Sequence, residues 1–162
     1  MNYSNTIESI ESKSLKPESE DILPLDTITC SEWNENDNMK FGVTSFDGTF
    51  RLYEIVSQNN QTYFRLLNLF KYKFPLTSFT FLGKSEFVAI GTCDGKVILV
   101  KMEFSESKEI LNFEELGSHP SHLMKLFYVA QLNSLVSVDT SQSIKIWDLE
   151  KLEVSDLSLI HI

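Results

Sequence analysis

The sequence predicts an all-β protein built from about three repeated units of antiparallel strands. Aligning the chain with itself at a step of 47 residues superposes FGVTSFDGTFRLYEI, FVAIGTCDGKVILVKM and LVSVDTSQSIKIWDLEK without a gap. Each passage has two strand-length alternating segments around a polar turn, at Asp47, Asp94 and Ser141. Repeats of roughly 40–45 residues are typical of propeller blades, which are four-stranded sheets. Because propellers close with about four to eight blades, we expect an incomplete ring.

The first repeat, residues 22–56, contains the strands and turns of one such unit. LPLDTITCSEW opens with a proline-containing loop and continues as a strand to its tryptophan, and residues 34–38 form an Asn-rich turn. Lys40–Ser45 and residues 50–56 are the next two strands. Asp-Gly between alternating segments is a strong hairpin signal, so Asp47-Gly48 is predicted to join them tightly.

The second repeat, residues 62–103, shows the same order of features. Residues 62–70 form a long, apolar-rich strand, and residues 72–75 connect it to the next unit. Three further strands follow, with Cys93-Asp94-Gly95 as the hairpin between the last two: Leu76–Phe81, residues 86–92 and residues 96–103.

The third repeat, residues 109–150, is less regular. Residues 109–113 are predicted as a strand and residues 116–120 as a loop. The remaining strands of this repeat are residues 123–128, 134–138 and 143–149, and alternation in the last gives it one buried face. Residues 153–162 are apolar and are predicted to begin a fourth blade, so residues 22–162 make one partial propeller.

The amino-terminal segment, residues 1–21, has a different composition. It is rich in Ser, Glu and Lys and shows no sustained periodicity, which predicts a disordered acidic tail. The net charge of the whole chain is −9, which disfavours non-specific binding to nucleic acid. No apolar run approaches the roughly 18 residues that a membrane span needs.

Neither a catalytic motif nor a cofactor motif is present in the sequence. Cys30 and Cys93 occupy different repeat positions and have no metal-ligand spacing, which favours a reduced, intracellular protein. His119 and His122 lie three residues apart without an obvious third ligand. No phosphate-binding glycine loop or serine nucleophile elbow occurs. We therefore expect no enzyme activity, no cofactor and no metal.

The segment IKIWDL, with Trp147 near the end of its strand, resembles the second half of a WD repeat. In WD repeats a loop His, a strand Ser or Thr, a hairpin Asp and a strand-end Trp form a buried hydrogen-bonded set. The resemblance gives structural roles to Asp47, Asp94 and Trp147, with Ser141 replacing the acid in the third repeat. His119 follows Gly117-Ser118 and matches the loop His only loosely, so no blade is expected to have the full set.

A narrower resemblance covers about residues 23–151. LPLDTITC, VTSFDGTFRLYEI, LFKYKFPLTSF and IGTCDGKVILVKM are similar to the opening blades of the mitotic-checkpoint WD proteins of the budding-uninhibited-by-benzimidazole type. The related nuclear-pore messenger-RNA-export proteins share the Pro-x-Asp-x-Ile-Ser/Thr start, whereas KYKFPLTSF favours the checkpoint branch. Members of both branches have seven blades. The resemblance therefore implies a truncated product, a fragment, or a chain completed by a partner.

The resemblance also implies a binding surface. Family members bind checkpoint-kinase peptide motifs and phosphorylated repeats of a kinetochore scaffold at the top of the propeller, which the hairpins and the blade-to-blade connectors form. The matching positions in this chain are Phe46, Cys93 and Thr140 from the hairpins and Lys73, Phe74 and His119 from the connectors. The implied location is the nucleus, at kinetochores, with a cytoplasmic pool.

Two other functions fit the same residues. The first is that of the export branch, a pore-associated adaptor that contacts RNA. The second is that of a structural subunit whose blades complete a partner's open propeller.

Overall fold

The structure is a computed structural model that describes residues 14–36, 39–103 and 106–150. These residues form an all-β fold with two short 3-10 turns, at Glu20–Ile22 and Ala130–Leu132. The strands are β1 Lys16–Pro17, β2 Ile28–Trp33, β3 Lys40–Ser45, β4 Thr49–Gln58, β5 Gln61–Lys71, β6 Leu76–Phe81, β7 Phe87–Thr92, β8 Lys96–Lys101, β9 Glu109–Ile110, β10 Glu114–Ser118, β11 Leu123–Val129, β12 Ser134–Asp139 and β13 Ile144–Asp148.

Three antiparallel sheets follow one another along the chain. Blade 1 has the order β2-β3-β4-β5, blade 2 has the order β6-β7-β8-β10, and blade 3 contains β11-β12-β13 within the described residues. This arrangement confirms the predicted fold class, an incomplete β-propeller. The predicted hairpins at Asp47 and Asp94 join β3 to β4 and β7 to β8.

The repeat is visible in the irregularities of the sheets as well as in their order. The first strand of every blade has a register shift near its start, at Ile28/Cys30, Leu76/Ser78 and Leu123/Lys125. A bulge bends its strand and increases the local twist. Its recurrence at equivalent positions gives the three blades the same backbone shape.

The outer strand of blade 2 lies where the sequence predicted a loop. Residues Glu114–Ser118 pair with β8, whereas a loop was predicted at 116–120. Of the predicted strand 109–113, only Glu109–Ile110 is a strand, and it pairs in parallel with β5 of blade 1. The open edge of β8 needs main-chain partners, and EELGS supplies them without any apolar alternation.

The amino-terminal segment covers blade 1 from outside. β1 pairs in parallel with β5 ahead of the predicted start at Ile22, and the Glu18 N–H donates to the Phe64 carbonyl at 2.8 Å. Ile22 itself is buried among Val43, Phe64 and other side chains on the outer face of the blade. Residues 1–13 of the predicted tail and the predicted fourth-blade segment 153–162 lie outside the described residues.

Two apolar clusters hold the blades together. The first joins blades 1 and 2 and includes Phe50 and Phe79, both fully buried with ring centroids 5.1 Å apart. The second joins blades 2 and 3 and includes Leu99 and Leu135. Strand alternation places these side chains on facing surfaces, so blade-to-blade packing is the main apolar contribution to stability.

Replacing Phe79 with Ala should therefore destabilise the protein by about 3–5 kcal/mol, because it leaves a cavity between blades 1 and 2. Urea unfolding followed by circular dichroism measures the change. Phe127→Ala is a matched control, since the Phe127 ring is exposed, and it should cost less than about 1 kcal/mol. Equal losses in the two variants would contradict this account of the core.

Candidate functional site

Hairpins and connectors meet at one end of the blades to form a continuous surface. The Tyr72 N–H donates to the Gly48 carbonyl, and the His119 N–H donates to the Gly95 carbonyl. Each connector also contacts the hairpin of its own blade, since the Cys93 N–H donates to the Pro75 carbonyl. We call this surface, made by residues 46–48, 72–75, 93–95, 119–122 and 140–142, the top surface.

An aromatic group dominates the blade 1 side of the top surface. Phe46 is 49% exposed and Phe74 is 43% exposed. The Lys73 ammonium lies 5.4 Å from the centroid of the Phe74 ring, and the Tyr72 and Phe74 rings are 6.2 Å apart. Exposed rigid rings beside a cation are typical of binding hot spots.

The other predicted contact residues have different environments. Cys93 is half-buried, and burial together with the neighbouring Asp94 raises the pKa of its thiol. The Thr140 hydroxyl is 2.6 Å from the Ser121 hydroxyl and is exposed. The side chain of His119 is buried, so only its backbone belongs to the top surface. A peptide contact by the His119 ring is therefore corrected to a structural role.

The His119 ring belongs to a buried polar set in blade 3. Its Nε2 lies 2.6 Å from the Ser137 hydroxyl oxygen, and the Trp147 indole N–H donates to that same oxygen at 2.8 Å. The Nδ1 atom faces Asp139, 3.4 Å from a carboxylate oxygen, and both side chains are fully shielded from solvent. Because buried polar groups need partners, these four side chains fix β12, β13 and the connector relative to one another.

This set corrects the expectation that no blade is complete. Blade 3 contains the His, Ser, Asp and Trp of the WD pattern, and its acid is Asp139 rather than the residue at the turn. Ser141 does occupy the turn position of Asp47 and Asp94, but its hydroxyl and N–H both donate to Asp139. Moving the acid by two residues hides it from an alignment at a fixed step.

Asp139 is stabilised in its ionised form. Burial raises the pKa of this carboxyl, but the N–H of Ser143 and the hydroxyl and N–H of Ser141 donate to it and outweigh burial. Its pKa is therefore below the ordinary range. A carboxylate that accepts several hydrogen bonds is a strong anchor for the hairpin around it.

Blade 1 contains a different buried network. Arg51 donates to the Ile22 carbonyl at 3.1 Å, and the Tyr53 hydroxyl donates to the same oxygen at 2.6 Å. The Arg51 guanidinium is also 3.9 Å from Asp47, which accepts from the N–H groups of Leu25 and Thr49. Burial raises the pKa of Tyr53 to about 12, which keeps its hydroxyl a donor. This network ties the amino-terminal segment to blade 1.

Within the described residues, blade 2 lacks the buried His and Asp of blade 3 and the buried Arg of blade 1. Ile90 and Val100 occupy the positions of Ser137 and Trp147 and are buried in an apolar cluster. Asp94 remains at the surface, where it accepts from the Thr92 hydroxyl and, at 3.4 Å, from the Tyr72 hydroxyl. Asp94 therefore links its hairpin to the connector between blades 1 and 2.

Within the described ranges, no group of three or more His, Cys, Asp or Glu side chains could hold a metal ion. No helix in this part of the chain is long and apolar enough to cross a membrane.

Solved structures resemble this arrangement of blades. The C-terminal WD40 domain of Sif2 superposes with a TM-score of 0.62 at 18% identity, over 86% of this chain. The fold is that of WD40 propeller blades. The computationally designed Ika8 protein superposes with a TM-score of 0.57 at 17% identity, over 75% of this chain. No protein-family model matches the sequence, and no curated protein matches it.

The chain spans 38% of the length of the Sif2 domain and 33% of the length of the designed protein. At these identities the likeness concerns the WD40 fold alone. No sequence motif marks three features of this chain: Asp139 as the acid of the blade 3 set, the burial of Arg51, and a cleft around Glu32. The sequence signals for the blade 3 set were Trp147 at the strand end and His119 in the loop.

Replacing Ser137 with Ala removes the hydroxyl that the Trp147 indole N–H and the His119 ring share, and leaves both groups without that hydrogen-bond partner. We expect a loss of about 1–3 kcal/mol, because buried donors without partners carry their full desolvation cost. Urea unfolding monitored by tryptophan fluorescence measures it. The exposed hydroxyl of Ser57 provides a control, and Ser57→Ala should change stability by less than about 0.5 kcal/mol.

The depressed pKa of Asp139 predicts a pH dependence with a defined sign. Its contribution to stability should be fully present above the pKa of the unfolded chain, near 4, and lost as the pH falls through the folded pKa. Asp139→Asn should lower the free energy of unfolding at pH 7. Between pH 5 and 3 the variant should lose less stability than the unmodified chain does. Asp148→Asn, at the exposed end of β13, is the control. If the free energy of unfolding fell equally with pH in Asp139→Asn and in the unmodified chain, the assignment of Asp139 would be contradicted.

Proposed function

We propose that this chain is a non-catalytic protein-interaction module that binds an extended peptide across its top surface. The exposed pair Phe46 and Phe74, with Lys73 beside it, is the observation that carries the proposal. Aromatic anchors supply most of the affinity at such surfaces, and the cation selects an acidic or phosphorylated partner. Hydrogen bonds to Asp47 and Asp94 hold the hairpins of this surface in place.

The more specific proposal is an adaptor of the spindle-checkpoint type. Its partners would be checkpoint-kinase peptide motifs and phosphorylated kinetochore repeats, in the nucleus with a cytoplasmic pool. Support comes from the motif resemblance and from Phe46, an aromatic residue directly before the hairpin acid Asp47. Because such a peptide crosses several blades, three blades should bind it with only part of the full affinity.

A second candidate is a subunit that donates its blades to a partner. Within the described residues, blade 3 has three strands, and Ile144 and Ile146 on its last strand are exposed. An unpaired strand edge of this kind is a ready site for another chain. Light scattering, which measures the mass of the species in solution, tests this role. A stable folded monomer of 18.6 kDa whose mass does not change when a partner is added would exclude it.

The peptide proposal predicts that Phe46→Ala and Phe74→Ala each weaken binding of a checkpoint-kinase motif peptide by about tenfold, a change of about 1.4 kcal/mol. Isothermal titration calorimetry with the 162-residue chain measures it. Phe127→Ala is the matched control, because it removes an exposed ring from β11 rather than from the top surface.

If neither Phe46→Ala nor Phe74→Ala changed the affinity for the peptide, a top-surface site would be contradicted. If the chain instead bound single-stranded RNA with a steep salt dependence, the export-type function would be favoured. The net charge of −9 opposes that outcome.

A further inference from the structure

A cleft of about 860 Å³ lies at the end of the strands opposite the top surface. It forms where the turns between the first two strands of each blade approach one another, at residues 34–36, 82–85 and 130–133. Its volume falls in the range of roughly 300–1,000 Å³ that is usual for ligand sites. The side chains that matter here are those of Glu32, Trp33, Glu35, Lys84, Phe87 and Tyr128.

Glu32 is the polar centre of the cleft. The Thr80 hydroxyl and the Phe81 N–H both donate to its Oε1, at 3.1 and 3.4 Å, and in the part of the chain that the structure describes these are its hydrogen-bond donors. Among the described residues, no Lys, Arg or His side chain forms an ion pair with it. The carboxylate is therefore oriented by two hydrogen bonds and not by an ion pair.

The charges around Glu32 favour a cation. Burial raises the pKa of Glu32 most, the bonds from Thr80 and Phe81 and the charge of Lys125 lower it, and Glu35 raises it, with a net rise. A partly desolvated carboxylate gains from an incoming positive charge. Of the residues lining the cleft, Lys84 is the single cation, against the two carboxylates of Glu32 and Glu35.

Aromatic residues are among those that line the cleft. Trp33 is 44% exposed, and Phe87 and Tyr128 are half-buried. The Tyr128 ring is held in position against Gly83, where an added β-carbon would lie 3.0 Å from it, and its hydroxyl donates to Asn133 at 3.1 Å. A guanidinium group is planar, weakly hydrated and stacks on aromatic faces, which an ammonium does less well.

We propose that this cleft binds an arginine side chain of a protein partner, with Glu32 accepting from the guanidinium between the aromatic walls. The site is separate from the top surface, so the chain would contact partners at both ends of its strands. Because the cleft is larger than one side chain, residues flanking the arginine would fill the remainder near Glu35 and Lys84.

The test uses the full chain labelled with ¹⁵N and two small probes of nearly equal shape. Nα-acetyl-arginine methylamide carries the guanidinium, and Nα-acetyl-citrulline methylamide replaces it with a neutral urea. The arginine probe should shift the amide signals of Glu32, Gly83 and Tyr128 saturably, and the citrulline probe should bind at least tenfold more weakly. Equal binding of both probes, or shifts scattered over the surface, would overturn the proposal.

Two variants then separate Glu32 from general charge effects. Glu32→Gln should weaken the arginine probe at least tenfold while the other amide signals stay in place. Glu54→Gln changes the net charge equally, but Glu54 pairs with Arg65 on blade 1, so probe affinity should be unchanged. If Glu32→Gln bound the probe as well as the unmodified chain, or if Glu54→Gln weakened it equally, the assignment of Glu32 would be wrong. Should Glu32→Gln fail to fold, the comparison of the two probes alone decides.

Discussion

The stacking of the blades depends on a close backbone contact at the hairpin glycines. A β-carbon at Gly48 would lie 2.6 Å from the Tyr72 carbonyl oxygen, and one at Gly95 would lie 2.5 Å from that of His119. Both glycines also have left-handed backbone, with φ of +82° and +86°. Any larger residue would push the connector away from the hairpin. These contacts therefore set where the next blade starts, and they place hairpins and connectors side by side as one surface.

Once the backbones are positioned, each blade stabilises its interior with different chemistry. In blade 3, His119 lies between the neutral Ser137 and the acidic Asp139. Blade 2 has apolar residues such as Ile90 in its interior, and blade 1 buries Arg51. The buried arginine of blade 1 is explained by the position of this blade. Within the described residues, the amino-terminal segment covers its outer face. The Ile22 carbonyl brought in by that segment needs donors, and Arg51 and Tyr53 supply them.

The sequence predicted those parts of the fold that depend on local patterns. Asp-Gly turns and strand alternation identified the hairpins at Asp47 and Asp94, and the 47-residue step identified the blades. It did not predict β10, because a strand that only fills a sheet edge needs no apolar alternation. It did not predict the acid of blade 3, because Asp139 precedes the turn by two residues. The cleft at Glu32 was invisible because turns from three blades form it, and no single segment carries its pattern.

The same glycine constraint bears on what can follow blade 3. The position equivalent to Gly48 and Gly95 is Gln142, which keeps left-handed backbone with φ of 71° but carries a side chain. At Gly48 and Gly95 the space of a β-carbon is taken by the carbonyl oxygens of Tyr72 and His119. A fourth blade, from this chain or another, would therefore meet the β-carbon of Gln142 and the exposed side chains of Ile144 and Ile146 at this edge of blade 3.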